Sequence, residues 1–594
     1  MIAGHLEQKR IIVNKLIDSG INITPEILEL ILNLDRPLEK INQLIKEASF
    51  SPSFNGHLTL EFLKQIQNKE ILKALKRHTV KLDISIKKSK EDKNENSKSI
   101  NNSEELTTNQ AVLNNPPKTP ISDGVLSNID ATSQLNHSTD PLIYINPSKK
   151  IDEKKINLSG TTKSVFSFNP TAKDYNPEYE LLKDPTGKLY TNGDYSDFFE
   201  LTLDKFNKLK NLMRKRQEVL SASNINNILR NTQNVDLSTM GFVKEIRQTK
   251  KGNYFITLED LTGILNILIR QDSENRENVR VAERIISDQM IFVEGTYNPG
   301  EKGKSGILFV DYITKIDIPT GYKPNKSPDP VSIVLLSDTH IGSREFEEDL
   351  WKRFIDFLNG RLGNKKLRDI AGRVKYIIIN GDLVDGIGVY PSQKDDLTIS
   401  DIYQQYKKTS ELLSGIPDHI KIFYSSGNHD PVRNAIPRPA VPKKYVEALV
   451  DIGVTCVGNP TTIKTHNVNT LSYHGDSMLD LNMLIAGLEH DKTVETMKEL
   501  LICRHLAPIY GKKTQIAPTN KDWLVIDEIP DIFHTGHLHI NGIGKYRNVL
   551  LVNSGCFQSQ TAYMESFGIH PTPGIVPIIE LDSLRSLEID LKTV

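Results

Sequence analysis

Five apolar runs in the C-terminal half of this 594-residue chain each end on a cluster of Asp, Asn or His. Ile333-Val334-Leu335-Leu336 leads into Ser337-Asp338-Thr339-His340, and Tyr376-Ile377-Ile378-Ile379 into Asn380-Gly381-Asp382-Leu383-Val384-Asp385. Ile420-Lys421-Ile422-Phe423-Tyr424 leads into Gly427-Asn428-His429-Asp430, Leu471-Ser472-Tyr473 into His474-Gly475-Asp476, and Ile532-Phe533 into Thr535-Gly536-His537-Leu538-His539. Short apolar runs alternating with helical stretches indicate an α/β region whose strands are buried on both faces. In such folds the carboxyl ends of the strands gather at one rim, where ligands bind. Oxygen and imidazole donors converging there suit Mn, Mg, Fe or Zn, while the lack of thiolates in these blocks argues against a structural zinc site.

The order DxH, GDxxD, GNHD, His-Gly and GHxH resembles the calcineurin-like metallophosphoesterases, and the resemblance covers about Ser332 to Asp582 with every block intact. It implies a two-sheet sandwich flanked by helices. It further implies that Asp338, His340 and His539 hold one divalent metal ion and that Asn428, His474 and His537 complete a second site. Asp382 would bridge the two, since a carboxylate has two oxygens. His429 would protonate the leaving oxygen or stabilise charge on the phosphate, and Asp385 and Asp430 would orient imidazoles rather than bind metal. Manganese is the expected cation, with magnesium the alternative. A cation pair of this kind activates water and clamps phosphoryl oxygens.

The remainder of the chain divides by composition. Residues 1–80 read as a small helical module for docking a partner: Thr24-Pro25-Glu26 is a helix start, followed by Ile27, Leu28, Leu30, Ile31 and Leu32, and Phe62, Ile66, Ile71 and Leu72 suggest another helix. Residues 81–175 are rich in Asn, Ser, Lys and Thr and poor in aromatics, the composition of a disordered linker. Within 176–320, Phe198 to Leu220 predicts an amphipathic helix carrying Lys205, Lys208, Lys210, Arg214, Lys215 and Arg216, which face either solvent or phosphate. Short alternating strands follow, with a turn at Lys250-Lys251-Gly252-Asn253 and a helical insert from Val279 to Ile286. They describe a closed barrel of the OB type. A Pro- and Lys-rich boundary separates this barrel from the phosphoesterase-like region, 331–594.

The charge balance, 74 basic against 75 acidic residues, excludes a polycation, so nucleic-acid affinity must come from local patches. Cys456, Cys503 and Cys556 form no CxxC pair, which fits a reducing compartment and small buried side chains. Neither a signal core nor a membrane-length apolar run is visible, so a cytoplasmic, nucleoid-associated protein is expected. Arg433 could clamp a phosphate or DNA backbone, or form a surface salt bridge. His534 reads as a packed strand residue, and His505 gains no ligand role from its spacing.

A narrower resemblance rests on Asp338-Thr339-His340-Ile341-Gly342-Ser343, Trp351-Lys352-Arg353-Phe354, Gly427 to Arg433 with Pro437-Arg438-Pro439-Ala440, Arg504 to Gly511, and Pro530 to His537. These segments, and the domain order, are similar to the small subunit of the archaeal family D DNA polymerases, itself related to the B-subunits of eukaryotic replicative polymerases. Arg438 stands where glutamine is commoner in that family. The resemblance implies a metal-dependent 3′→5′ exonuclease that proofreads DNA for a separate large catalytic subunit, with the sliding clamp as a further partner. A non-catalytic scaffold, as in the related B-subunits, is the alternative. A phosphatase or a recombination-type nuclease is disfavoured because the barrel precedes the phosphoesterase-like region.

Overall fold

The computed structural model describes residues 168–594, except 220, 273–274 and 301–304, and scattered positions between 12 and 58. The expected helix start at Thr24-Pro25-Glu26, the Phe62–Leu72 helix and linker residues 81–167 lie outside the described residues. The chain forms two compact units, 1–134 and 135–594. In the first, β1 (Asn22–Ile23) pairs in parallel with β2 (His57–Leu58), and α1 spans Pro37–Phe50. Ile41 and Leu44, three apart on α1, are fully buried, as one helical face requires.

The second unit contains a closed barrel of five strands: β4 (Val235–Gln248), β5 (Tyr254–Asp260), β6 (Gly263–Ile269), β7 (Met290–Asn298) and β8 (Ile307–Lys315), in the order β4-β5-β6-β8-β7. Ile256 and Leu258 on β5 and Leu265, Ile267 and Ile269 on β6 alternate into its core. The helical insert is Arg276–Ala282, slightly earlier than expected. The basic helix, α2, runs from Tyr195 to Met213 and packs Phe206, Leu209 and Met213 against barrel residues Met240, Phe242 and Phe292.

Outside the barrel lie two six-stranded sheets, all but one of whose strands follow it in the chain. In the first, β9 (Ser332–Leu336), β10 (Val374–Asn380), β11 (Lys421–Ser425) and β12 (Thr455–Val457) are parallel, and β18 (Ile575–Glu580) and β19 (Arg585–Asp590) complete it in antiparallel fashion. The second has the order β16 (Gly542–Tyr546), β17 (Val549–Asn553), β15 (Ile532–Thr535), β14 (Val468–Ser472), β13 (Thr461–Thr465) and β3 (Tyr179–Lys183). Ile333, Leu335, Tyr376, Ile378 and Phe423 of the first sheet meet Ile463, Ile532, Leu550 and Val552 of the second in one core. The alternate residues Val334, Leu336, Ile377 and Ile379 pack outward on helices that include α3 (Glu348–Leu358) and α4 (Lys365–Gly372). Across the second sheet, Leu471, Phe533 and Leu551 pack on α5 (Thr493–Cys503). Both faces of β9 and β10 are therefore covered, which is why these strands read as unbroken apolar runs.

Two divisions fall differently from the composition. Within the segment assigned to the linker, residues 171–174 form a 3₁₀ turn docked on the first sheet: Ala172 is buried, its carbonyl accepts from Lys375 Nζ at 3.1 Å, and Phe168 packs into the core. A few apolar anchors escape a composition average. In the segment assigned to the barrel, β3 instead pairs with β13 and extends the second sheet. Strand partnership over such a separation leaves no local trace in sequence.

Candidate metal centre

Beyond the ends of β9 and β10 the two chain segments continue to hydrogen-bond to each other. Asp338 N donates to Gly381 O at 3.1 Å, His340 N to Asp382 O at 3.0 Å, and Asp385 N to Ile341 O at 3.0 Å. This ladder holds the DxH and GDxxD blocks side by side. Asp338, His340, Asp382, His537 and His539 all adopt left-handed backbone conformations, with φ between 51° and 67°. For a residue with a Cβ this costs about 1–2 kcal/mol each and persists only where the surroundings enforce it. Two glycines permit the tight assembly. A methyl on Gly427 would collide with the Asp382 carboxylate, and one on Gly536 with Ser337 and Asp338.

Three groups of donors have ligand atoms within 4.8 Å of one another: Asp338, His340 and His539; Asp382, His474 and His537; and, beside the first, His340, Asp385 and His429. His539 Nε2 is 3.4 Å from Asp338 Oδ1 and 3.2 Å from His340 Nε2. In the second group His474 Nε2 is 3.2 Å from Asp382 Oδ2 and 3.1 Å from Asn428 Oδ1. Asp382 Oδ2 is also 3.9 Å from His340 Nε2, so this carboxylate stands between the first two groups. Asp338, His340, Asp382, His474 and His539 are buried, whereas Asn428, His429 and His537 are half-buried and open the site on one side.

The surroundings set the imidazole tautomers. His340 Nδ1 donates to Asp385 Oδ1 at 2.9 Å and His474 Nδ1 to the Asn380 carbonyl at 2.8 Å, leaving both Nε2 atoms facing the centre. Asp385 is itself held by Gln393 Nε2 at 2.8 Å. His429 donates its backbone N–H to Asp382 Oδ1 at 2.8 Å and Nδ1–H to the Asp385 carbonyl at 2.7 Å. Its ring meets that of His340 edge to face, with centroids 4.6 Å apart.

The donor set fits divalent cations. Asp338 Oδ1 is buried and accepts no hydrogen bond, and the Nε2 atoms of His340 and His539 point at one another. His474 Nε2 faces two acceptor oxygens, an arrangement that calls for a positive charge between them. Burial works against a charged imidazole there, yet the Asp382 and Asp338 carboxylates override it and push the pKa of His474 up to about 10. Burial likewise opposes ionisation of Asp338, but His539 and His474 draw its pKa down to about 2. His537 is pushed down to about 4 by burial and then by His474, so it stays neutral, as a ligand must.

The other sequence candidates divide. Asp385 Oδ1 accepts from His340 Nδ1, as a group that orients an imidazole would. Asp430 does not: Oδ2 accepts from the backbone N–H groups of Gly427 at 2.7 Å and Asp382 at 3.0 Å, and Oδ1 from the Tyr406 hydroxyl at 3.0 Å. Its side chain turns back into the loop and satisfies main-chain donors that burial would otherwise orphan. Arg433 forms no salt bridge among the described residues; its Nε and Nη2 donate to the Pro437 carbonyl, at 2.9 and 2.5 Å. His534 is packed within β15, with Nε2 2.8 Å from Ser554 Oγ, and His505 donates Nε2–H to Asp522 at 3.0 Å. Lys205 and Lys208 on α2 donate to the carbonyls of Pro508 and Asp522, both at 2.6 Å, so this part of the basic face serves the protein itself.

Further supporting residues lie outside the expected donor set. Asn380 donates to the Tyr473 and His534 carbonyls while its own carbonyl fixes His474. Arg438, fully buried, forms an ion pair with Asp476, two residues beyond His474, with Nη1 3.0 Å from Oδ2. The pairing of Arg438 with an aspartate in a distant block could not be read from either block.

The family of DNA polymerase alpha/epsilon B-subunits matches residues 333–540, a span containing every candidate ligand. Over that span the chain is thus similar to the polymerase B-subunits. The DNA polymerase II small subunit of Methanothermobacter thermautotrophicus is 38% identical over 420 residues, 70% of this chain and 84% of that protein. That of Archaeoglobus fulgidus is 40% identical over 399 residues, covering 67% of this chain and 78% of that protein. The chain belongs to the family of DNA polymerase II small subunits. Among solved structures, one described as a novel archaeal phosphodiesterase is similar over 44% of this chain and 99% of its own, at 15% identity and a TM-score of 0.23. No helix among the described residues is long and apolar enough to cross a membrane.

Proposed function

We propose that the chain is the proofreading subunit of a two-subunit DNA polymerase in DNA replication, a calcineurin-like 3′→5′ exonuclease that works with a large catalytic subunit. The observation that carries this reading is the position of Asp382 between two donor groups at the rim of the paired sheets. Asp338, His340 and His539 would hold one divalent cation and Asn428, His474 and His537 the other, with Asp382 shared. Bound there, manganese or magnesium would supply Lewis acidity toward the phosphoryl oxygens and lower the pKa of water.

The protein's own groups do the rest. Asp385 and the Asn380 carbonyl keep the His340 and His474 Nε2 atoms aimed inward. His429 has Nδ1–H committed to the Asp385 carbonyl, so its Nε2 is the atom left to meet the departing sugar oxygen. Positioned acid catalysis of this type gives about 10²–10⁴-fold.

The test is nucleotide release from matched and mismatched 3′ ends by the full chain with manganese, alone and with its large subunit, alongside elemental analysis. Expected are divalent metal in the purified protein and hydrolysis that falls about 10²–10⁴-fold in His429→Ala. A well-folded protein that takes up no metal under any loading condition would establish the scaffold instead. Hydrolysis of phosphoserine without hydrolysis of DNA would establish a phosphatase.

A further inference from the structure

Three aromatic side chains outside the donor set lead from His429 to the surface. The Tyr390 ring lies 6.4 Å from that of His429. Tyr563 stacks on Tyr390 with centroids 6.4 Å apart and an interplanar angle of 25°, and Phe567 follows at 4.9 Å from Tyr563. Tyr563 and Phe567 are 54% and 60% exposed, an unfavourable setting for large apolar rings that have no partner to meet.

The platform is indexed to the centre. The Tyr390 hydroxyl donates to Asp396 Oδ2 at 3.0 Å. Gln393 ties the same loop to Asp385, accepting from Val389 N at 2.9 Å and donating to the Asp385 carbonyl at 2.7 Å. Asp385 in turn orients His340. Tyr563 and Phe567 lie four residues apart on and just after the helix Ala562–Ser566, so they share a face. Lys394 is exposed here, but Asp395 and Asp396 adjoin it, so the surface offers ring faces rather than net positive charge.

We propose that Tyr390, Tyr563 and Phe567 form a stacking platform for the unpaired bases next to the scissile phosphodiester of a single strand. This deepens the reading of the centre as a nuclease site and rests on it. Every base has a π-face, so such a platform accepts any sequence but requires bases free of a duplex. A paired end cannot reach it without fraying, so a frayed, mismatched end is the favoured substrate. The rings run to His429, which places bases beside the centre rather than a protein segment elsewhere.

The experiment uses the full chain with manganese and a short oligothymidylate. Tyr563→Ala and Phe567→Ala should each raise KM about five- to a hundredfold, the worth of one stacked base, with kcat changed little. Manganese binding by isothermal titration calorimetry and thermal melting, neither of which involves a base, should be unchanged and report correct folding. An oligothymidylate with abasic sites at the two positions next to the terminal one should show the raised KM with the unaltered chain, and no further rise with Tyr563→Ala. An unchanged KM in both variants would overturn the platform while leaving the nuclease reading intact. If the unaltered chain degrades no DNA, the nuclease reading fails. The fluorescence of the Tyr563→Trp variant, titrated with a phosphorothioate oligothymidylate, still decides the platform: quenching supports it, and no response overturns it.

Discussion

The barrel and the two-sheet region use their strands in opposite ways. On β5 and β6 every second side chain enters the barrel core while the residues between them stay partly open to solvent. On β9 and β10 every residue is buried, one alternate set between the sheets and the other under helices. A strand covered on both faces has no free side chain to offer, so the chemistry moves to the first residues beyond it. There Asp338, His340 and Asp382 adopt left-handed backbone. The barrel has outward positions to spare, yet no group of metal-binding side chains occurs on it among the described residues. Burial of whole strands thus makes a rigid rim, which holds these residues in a backbone conformation they would not adopt alone.

This contrast is open to breakage. The largest effect is expected at the rim. Asp382→Asn keeps the shape and tolerates positive φ, but should lose several kcal/mol of charge stabilisation, at least about a thousandfold in hydrolysis. Circular dichroism and thermal melting should change little. A collapse of the fold in this variant would show that the rim is structural after all.

Next is the Arg438–Asp476 pair, which sits under the rim. Arg438→Ala leaves a buried carboxylate uncompensated and should cost about 3–5 kcal/mol in denaturant unfolding. A loss near that of an exposed ion pair would mean that the loop reaches water. In the barrel, Ile267→Ala should cost about 2–5 kcal/mol through the cavity it leaves, with metal content and hydrolysis per folded molecule unaltered. Loss of metal in that variant would erase the distinction between the two regions.

The smallest effect is a pH slope. Burial pushes the His534 pKa down to about 3, against an ordinary value near 6.5. The unfolded chain therefore takes up a proton below about pH 6.5 while the native chain does not. The contribution is complete above that pH and is lost as pH falls toward 3, by at most about 1.4 kcal/mol per unit. His534→Asn should flatten the urea-unfolding free energy between pH 6 and pH 4 by that amount. An unaltered slope would show that water reaches this strand.

Much of the centre was legible because each block is local: a strand, a turn and two or three donors within a few residues. The barrel strands were legible through alternation and the Lys250–Gly252 turn. What escaped was non-local or ambiguous in type. Asp430 resembles any acid beside a histidine, yet it serves backbone amides, because the direction of a side chain in a loop depends on what the loop encloses. Lys205 and Lys208 read as a basic face, but carbonyls from the segment around Pro508 and Asp522 take them up. Phe168 and Ala172 sit in a stretch of linker-like composition and still anchor it.

By itself the sequence determined the strand runs, the residue types at their ends and hence the kind of chemistry those ends can support, since short-range pattern follows from backbone periodicity and side-chain character. Only the tertiary structure decided that β3 joins the second sheet, that Asp382 stands between two groups of imidazoles, and that Tyr390 meets Tyr563. Those facts depend on contacts between distant segments, which form only when burial of both faces of the sheets forces their ends onto a common rim.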